Sequence, residues 1–285
     1  MRIVTGFVDS PLGRWVYSEW RPLPGTPLSA VVERVWHFDG VTTHRRERVF
    51  PNGMVELIVH LGERYRLVEG MGTTLCGTTC MTGLQTAPIV VEAPACPCRV
   101  LGIRLYPAGA YAVLARPLDA MSGLTVDLPD LVGRAAEELA DRCHAVEVEE
   151  VFAIASRWIG ERAARSPAAD PAIAWIAAQI ERREGAVSIA ALRERTGLTK
   201  TRLATAFREQ IGVTPKLYAR ILRFRRALAL VNEGTAPLAD VALAAGYYDQ
   251  PHMNAEFREL GGLAPREFLA ATRYERSVSL AEASS

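Results

Sequence analysis

Long hydrophobic runs are missing from this sequence. No uninterrupted apolar segment approaches the roughly 18 residues that a membrane-spanning helix needs. The first residues, Met1-Arg-Ile-Val-Thr-Gly6, lack the basic stretch and the apolar run of a secretion signal. We therefore expect a cytoplasmic protein with no membrane partner. An apolar fraction of 49% and a charged fraction of 23% are typical of globular domains, and 285 residues suffice for about two of them.

Catalytic signatures are missing as well. The sequence contains no Gly-x-Ser-x-Gly motif, no phosphate-binding loop and no dinucleotide fingerprint. Its five histidines have no obvious nucleophile beside them in sequence; they are His37, His44, His60, His144 and His252. We therefore expect neither an enzyme nor a bound cofactor.

Cysteine is scarce. Five cysteines in 285 residues are odd in number and unevenly spread, unlike the disulfide framework of a small secreted protein. Reduced thiols are expected.

Positive charge is concentrated near the C-terminus, although the net charge is only +1. Residues 167–274 contain 15 Lys and Arg against 11 Asp and Glu. Between Arg202 and Arg226, seven basic residues are accompanied by Glu209 as the one acidic residue. Such a local excess attracts a polyanion, which favours nucleic acid as a partner.

Two different residue patterns, one in each part of the chain, predict an α+β fold with two domains. Up to about Val126, short β-branched runs are broken by Gly and Pro, which indicates a β-sandwich or barrel of cupin type. The strand candidates are 31–38, the segment after the Asn52-Gly53 turn, 65–68, 89–92 and 100–105. Apolar residues then recur at helical spacing in 131–143 and 147–164.

The change from one residue pattern to the other gives the domain boundaries. We predict a β-rich sensor or dimerisation domain with C-terminal helices at 1–164 and a linker at 165–171, where two prolines stand among small residues. Asp170 is placed to cap a helix that opens at Pro171. An all-α domain at 172–274 and a disordered tail at 275–285 complete the prediction.

An internal repeat lies in the predicted all-α domain. Residues 196–215 recur at 245–265 with an offset of 50: Leu203, Phe207, Arg208, Glu209, Gly212 and Pro215 match Met253, Phe257, Arg258, Glu259, Gly262 and Pro265. Each copy follows an apolar helix, a glycine and a capping residue, which is the order of a helix-turn-helix unit. The breaker-free stretch 216–231 predicts a long helix that joins the units and lets both recognition helices reach successive major grooves.

The repeat resembles the AraC/XylS family of transcription regulators over about 100 residues. The resemblance rests on Gly246-Tyr247-Tyr248-Asp249-Gln250, Phe257-Arg258 and the Gly262-to-Pro265 turn. It implies a regulator that binds double-stranded promoter DNA. The implied base-facing positions are Thr201, Ala204 and Thr205 in the first unit and Gln250, Pro251, Asn254 and Ala255 in the second.

The two units differ in the readout that their side chains offer. Thr and Ala give weak or methyl-directed contacts, whereas the amides of Gln250 and Asn254 can pair with adenine. Arg202 is a further base-facing candidate that suits phosphate equally well. The predicted phosphate contacts are Lys200, Arg208, Lys216, Arg220, Arg226 and Arg258.

The N-terminal domain is similar to a poorly described subgroup of that family, through Pro51-Asn52-Gly53 and Leu57-Ile58. In the family such a domain commonly binds a small effector or forms a homodimer, and RNA polymerase is a further possible partner. Strand alternation places Val55, Leu57, Val59 and Leu61 on a core face. The opposite face of that strand either lines a pocket or meets solvent.

The cysteines support an alternative function. Cys76, Cys80, Cys96 and Cys98 lie in Gly- and Pro-rich stretches and offer four thiols for zinc or redox chemistry. This arrangement is similar to Cys-rich DNA-repair regulators that accept an alkyl group, although the Cys-x-Cys spacing is tighter than usual zinc pairs. The alternative is a thiol-based zinc, alkylation or redox sensor on the same DNA-binding domain; structural or free cysteines are the simpler interpretation.

Overall fold

The computed structural model describes residues 2–10, 13–43 and 45–274. The predicted tail at 275–285 lies outside these residues. The described part contains a β-rich region, residues 3–165, followed by a helical region, residues 171–274. This order confirms the predicted α+β class.

Two antiparallel sheets form the β-rich region. The larger has the order β1-β2-β3-β10-β5-β8-β11, and the smaller has the order β4-β9-β6-β7. The strands are β1 Ile3–Ser10, β2 Gly13–Trp20, β3 Val32–Thr42, β4 Arg46–Val49, β5 Val55–His60, β6 Arg66–Glu69, β7 Gly72–Leu75, β8 Thr79–Thr82, β9 Ile89–Glu92, β10 Cys98–Leu105 and β11 Thr125–Asp127. All five predicted strand segments are present.

The helices α1 to α11 of the described residues all come after β10, and the short strand β11 lies between α1 and α2. They are α1 Pro107–Leu114, α2 Leu128–Val132, α3 Ala135–Cys143, α4 Val148–Arg165, α5 Pro171–Arg182, α6 Ile189–Thr196, α7 Lys200–Ile211, α8 Pro215–Glu233, α9 Leu238–Ala244, α10 Gln250–Gly261 and α11 Pro265–Tyr274. Helix α5 begins at Pro171, and the Asp170 carboxylate accepts a hydrogen bond from Ala172 N at 2.8 Å. The cap therefore sits where the sequence predicts it.

Strand β5 shows how the sheet is built. Val55, Leu57 and Val59 point into the first hydrophobic core, as their alternation predicts. On the opposite face, Glu56 Oε1 accepts hydrogen bonds from Trp36 Nε1 at 2.9 Å and Arg104 Nη2 at 3.2 Å. That face is a half-buried polar network in which neighbouring strands satisfy each other's groups.

The second hydrophobic core lies in the helical region. Its largest fully buried side chains are Phe207, Tyr218, Phe224 and Phe257, which come from α7, α8 and α10. Leu84, from the loop after β8, is buried in this same core. The two regions are therefore packed against each other through apolar side chains.

Three segments of the β-rich region make this contact, and we call them the docking segments: residues 50–54, 84–88 and 118–122. Phe50 packs against Phe224 and Phe268, with ring centroids 6.3 and 5.6 Å apart. In the third segment, Ser122 Oγ donates to Gly212 O at 2.7 Å and Leu118 N donates to Glu209 O at 2.7 Å.

Candidate nucleic-acid interface

The first helix-turn-helix unit consists of α6 and α7. Helix α6 ends at Gly197, whose φ of +68° is in the left-handed region that favours glycine. Thr199 then caps α7, since its hydroxyl accepts a hydrogen bond from Arg202 N at 3.2 Å. These two residues set the turn between the helices.

The second unit, α9 and α10, repeats this construction. Gly246 has a φ of +82°, and the Asp249 carboxylate accepts a hydrogen bond from His252 N at 2.8 Å. Pro251 lies in the first turn of α10, where its missing N–H leaves no bond unmade. The helix-turn-helix prediction is thus confirmed for both copies.

Helix α8 joins the units. It has 19 residues and no proline after its first position, so it spans about 28 Å at 1.5 Å per residue. Thr214 caps its N-terminus by accepting a hydrogen bond from Leu217 N at 3.2 Å. One continuous helix therefore sets the separation of the two units.

Helix α7 turns one face inward and leaves the other free. Leu203 and Phe207 are buried in the second core. On the other face Thr201, Arg202 and Thr205 are exposed, while Ala204 is half-buried. The free face therefore carries the positions that the sequence assigns to base contacts in the first unit.

Helix α10 is less open at its amide positions. Pro251 and Ala255 are exposed, whereas Gln250 and Asn254 are half-buried. The Oδ1 atom of Asn254 is buried and has no hydrogen-bond partner.

The predicted phosphate contacts fall into two groups. Lys200, Arg208, Lys216 and Arg258 have exposed side chains. Arg220 and Arg226, in contrast, are engaged by carboxylates of the same region.

Arg220 links the connecting helix to the second recognition helix. Its Nε donates to Glu256 Oε1 at 2.7 Å and its Nη2 donates to Glu259. The two carboxylates raise the pKa of Arg220, and the hydrogen bond from Arg220 lowers the pKa of Glu259. Arg226 forms an ion pair with Glu184 at 3.3 Å. The partly buried contacts of Arg220 favour a structural role for it, whereas the pair of Arg226 and Glu184 is exposed.

Glu256 is the centre of this polar network. Its side chain is only 5% exposed, and Oε1 also accepts a hydrogen bond from Arg223 Nη2 at 2.9 Å. Arg223 in turn lies over the Tyr247 ring, 4.9 Å from its centroid. The network thus fixes α10 and the preceding turn against α8.

Two further candidates for DNA contact were missed by the sequence reasoning. Tyr248 is 87% exposed two residues before α10 begins, and His252 is exposed in the first turn of that helix. The sequence does hold a signal, because Tyr247 and Tyr248 are adjacent and only one of two neighbours can face the core. His252 follows the Asp249 cap by three residues, a position at the open end of a recognition helix.

The thiols do not assemble as a four-cysteine site. Within residues 2–10, 13–43 and 45–274, no three His, Cys, Asp or Glu side chains converge in a way that could hold a metal ion. The alternative zinc site at Cys76, Cys80, Cys96 and Cys98 is therefore wrong for the described structure, because the thiols are divided between different neighbours. Cys98 Sγ donates a hydrogen bond to Tyr65 Oη at 3.8 Å, whereas Cys80 lies on β8 between β5 and β11.

No helix in the described residues has the length and apolar character that crossing a membrane requires.

Comparisons with known proteins agree with the geometry of the two units. Residues 192–271 match a family described as "Helix-turn-helix domain", and residues 21–127 match a "Domain of unknown function (DUF6597)". The chain is 37% identical over 67 residues to the uncharacterized HTH-type transcriptional regulator YbfI of Bacillus subtilis, covering 24% of each protein. It is 29% identical to the arabinose operon regulatory protein of Escherichia coli over 29% of this chain and 28% of that protein.

The match spans about a quarter of the length of these two curated relatives. Among solved structures, ToxT of Vibrio cholerae superposes with a TM-score of 0.45 at 11% identity, covering 79% of this chain and 95% of that one. The chain therefore combines a DUF6597 domain with a C-terminal helix-turn-helix domain of the AraC type.

Proposed function

We propose that this protein is a sequence-specific transcription regulator that binds double-stranded promoter DNA through α7 and α10. The observation that carries the proposal is the pair of helix-turn-helix units, whose recognition helices are capped at corresponding positions by Thr199 and Asp249 and which are joined by one continuous helix. This arrangement suits two successive major grooves. The relatives named above are described as regulators, which supports the same function.

The two units have different roles in the proposal. In the first, small or weakly specific side chains, Thr201, Ala204 and Thr205, accompany the exposed Arg202, which suits contact with the DNA backbone. In the second, Gln250 and Asn254 supply the amides that pair with adenine.

Phosphate contacts in the proposal come from the exposed cations. Lys200, Arg208, Lys216 and Arg258 are free of the carboxylates that engage Arg220 and Arg226. Each contact would release counterions from DNA, so affinity should fall steeply as salt rises.

The β-rich region modulates this binding in the proposal. Its docking segments lie at corresponding places in the two units: Ser122 reaches Gly212 at the end of α7, and Phe50 and Pro88 approach Gly261 and Gly262 at the end of α10. Phe50 also packs on α8 between the units. A small effector, a second copy of the chain or RNA polymerase that shifts these segments would alter both recognition helices together.

We propose the same domain limits as the sequence indicates: a sensor or dimerisation domain at 1–164, a linker at 165–171 and the DNA-binding domain at 172–274. The last helix of the β-rich region ends at Arg165 and the next begins at Pro171, which supports the placement of the linker. The cytoplasm is the proposed location.

Base reading by the second unit can be tested after selecting a cognate duplex from random sequences with the full chain. Replacing both Gln250 and Asn254 by Ala should weaken binding to that duplex by about 10-fold or more, and binding to random DNA much less. Lys216→Ala, the matched control, should weaken both duplexes to the same extent. Equal losses for the amide double variant on the two duplexes would contradict the assignment.

A further inference from the structure

An open crevice of about 590 Å³ lies in the β-rich region, where the ends of α1 and α2 meet the last turn of α4. Its apolar lining includes the buried Leu114 and the half-buried Leu131 and Val132. Two cationic side chains, Arg116 and Arg162, line the same crevice. A volume of this size suits a small molecule, and a few polar groups on apolar walls are typical of ligand sites.

Each of the two guanidinium groups is anchored through its Nε atom. Arg116 Nε donates to Leu131 O at 3.0 Å, and Arg162 Nε donates to Val113 O at 2.9 Å. Arg162 also lies over the Trp158 ring, 5.1 Å from its centroid. Among the described residues, neither guanidinium makes a further hydrogen bond or an ion pair. Binding the last carbonyls of a helix is a common use of arginine, but here it leaves the Nη atoms of both side chains for a ligand.

The crevice has an excess of positive charge. Of the described residues that line it, the exposed Asp130 is the one carboxylate, against two arginines. Burial and the neighbouring charge of Arg165 lower the pKa of Arg162. A partly buried cation that has no counter-ion is stabilised when an anion binds beside it.

We propose that this crevice binds a small organic carboxylate with an apolar body. The carboxylate accepts hydrogen bonds from the Nη atoms of Arg116 and Arg162, because the planar guanidinium fork matches the geometry of a carboxylate. The apolar body packs against Leu114 and Val132, which a bare inorganic anion cannot use.

The crevice is connected to the first recognition helix by a very short stretch of chain. Arg116 is two residues before Leu118, whose N–H donates to Glu209 O in α7 at 2.7 Å. Pro117 stands between them, and its ring restricts the backbone there. A ligand that moves Arg116 therefore shifts the docking segment 118–122 and, with it, α7. This regulation rests on the proposed DNA binding.

Ligand-observed NMR titration of the full chain without DNA tests the site. Benzoate, which has a carboxylate on an apolar ring, is the probe; benzamide is its uncharged counterpart, and inorganic phosphate has charge without an apolar body. Benzoate should bind at least about 10-fold more tightly than either control. No binding of benzoate up to about 10 mM would overturn the site. Equal affinity for benzamide would overturn recognition of the charge, and equal affinity for phosphate would overturn the apolar body.

Substitutions place the site on the two arginines. Arg116→Gln and Arg162→Gln should each weaken benzoate binding by about 10-fold or more and leave benzamide binding unchanged, because a hydrogen bond to a charged group is lost. Arg157→Gln, on the exposed side of α4, is the matched control and should change the Kd by less than about twofold. Equal effects of the three substitutions would contradict the assignment.

Chemical modification of the wild type gives a second measurement that needs no substitution. Phenylglyoxal modifies accessible guanidinium groups, and peptide mass spectrometry follows each arginine separately. Benzoate should slow the modification of Arg116 and Arg162 and leave that of Arg157 unchanged. The absence of such protection would overturn the site even where a substituted protein fails to fold.

DNA binding tests the regulation. Saturating sodium benzoate, compared with sodium chloride at the same concentration, should change the Kd of the wild type for a duplex selected without benzoate by at least about fivefold. The Kd of Arg116→Gln should change by less than about twofold. Benzoate that occupies the crevice without changing the Kd overturns the regulation. Protein that binds no duplex overturns the proposed function instead, and the titration without DNA still decides the site.

Discussion

Removing the Glu256 carboxylate should destabilise the helical region far more than removing its neighbour Glu259. Both side chains come from α10 and both accept a hydrogen bond from Arg220. They differ in environment: Glu256 is 5% exposed and binds Arg223 as well, whereas Glu259 is 60% exposed. The substitutions Glu256→Ala and Glu259→Ala are therefore a matched pair on one helix.

The expected magnitude follows from the contacts that remain. Breaking a fully buried ion pair by removing one partner costs about 3–5 kcal/mol. Here the side chains of Arg220 and Arg223 keep 23% and 17% exposure, and Arg220 keeps Glu259. Water and the second carboxylate offset part of the loss, so Glu256→Ala should cost about 2–3 kcal/mol. An exposed pair such as that of Glu259 contributes about 0–1 kcal/mol.

Urea unfolding of the full chain, followed by far-ultraviolet circular dichroism, measures both free energies of unfolding. We expect the Glu256→Ala midpoint to shift clearly below the wild type and the Glu259→Ala midpoint to remain near it. Equal shifts for the two variants, or a loss below about 1 kcal/mol for Glu256→Ala, would refute the view that this buried carboxylate holds α10 against α8.

Two further predictions concern pH and helix capping. Burial raises the pKa of Glu181 to about 7 although Tyr218 Oη donates to its Oε1 at 2.6 Å. Because the folded state then holds a proton that the unfolded state releases, stability should fall by about 1–3 kcal/mol as pH rises from roughly 4.5 to 7. The Glu181→Gln variant should lose that part of the dependence in urea unfolding at several pH values, and identical profiles would contradict the assignment. Asp249→Ala removes the acceptor of the His252 N–H and should cost about 1 kcal/mol in the same assay. No change in its midpoint would show that the cap is dispensable.

The double helix-turn-helix could be predicted from sequence because its determinants are local. Gly197 and Gly246 adopt positive φ where the chain turns, and Thr199 and Asp249 cap the helices that follow. Each of these signals depends on a few neighbouring residues and on general backbone chemistry. Because the unit recurs at an offset of 50 residues, the same signals occur twice in the sequence.

The roles of the arginines could not be predicted in the same way. Arg220 meets Glu256 and Glu259 only because α8 and α10 pack together, and their sequence separation gives no sign of it. In sequence Arg220 and Lys216 look alike, yet one is held by carboxylates and the other is exposed. A count of basic residues therefore overestimates the charge that is free to meet DNA.

The contacts between the β-rich region and the helical region could not be predicted from the sequence, for a related reason. Phe50 directly precedes the Pro51-Asn52-Gly53 turn. This motif indicates a loop, but it does not indicate which residues Phe50 contacts. In the structure Phe50 packs on Phe224, and Arg225 Nη1 donates to Asn52 O at 3.0 Å across 173 residues. The paired strands β1 and β2, Ile3–Ser10 and Gly13–Trp20, were also missed.

The most direct test of the account places a carboxylate on each exposed recognition face. Thr205→Glu in α7 and Ala255→Glu in α10 should each weaken binding of the full chain to a selected duplex by about 10-fold or more, measured by fluorescence anisotropy, because the new charge faces phosphate. Ala153→Glu, on the exposed side of α4, is the matched control and should change the Kd by less than about twofold. If DNA binds through both recognition helices, Thr205→Glu and Ala255→Glu should each lose much affinity for the duplex and Ala153→Glu should not. Losses of affinity no greater than that of Ala153→Glu would contradict binding through these helices.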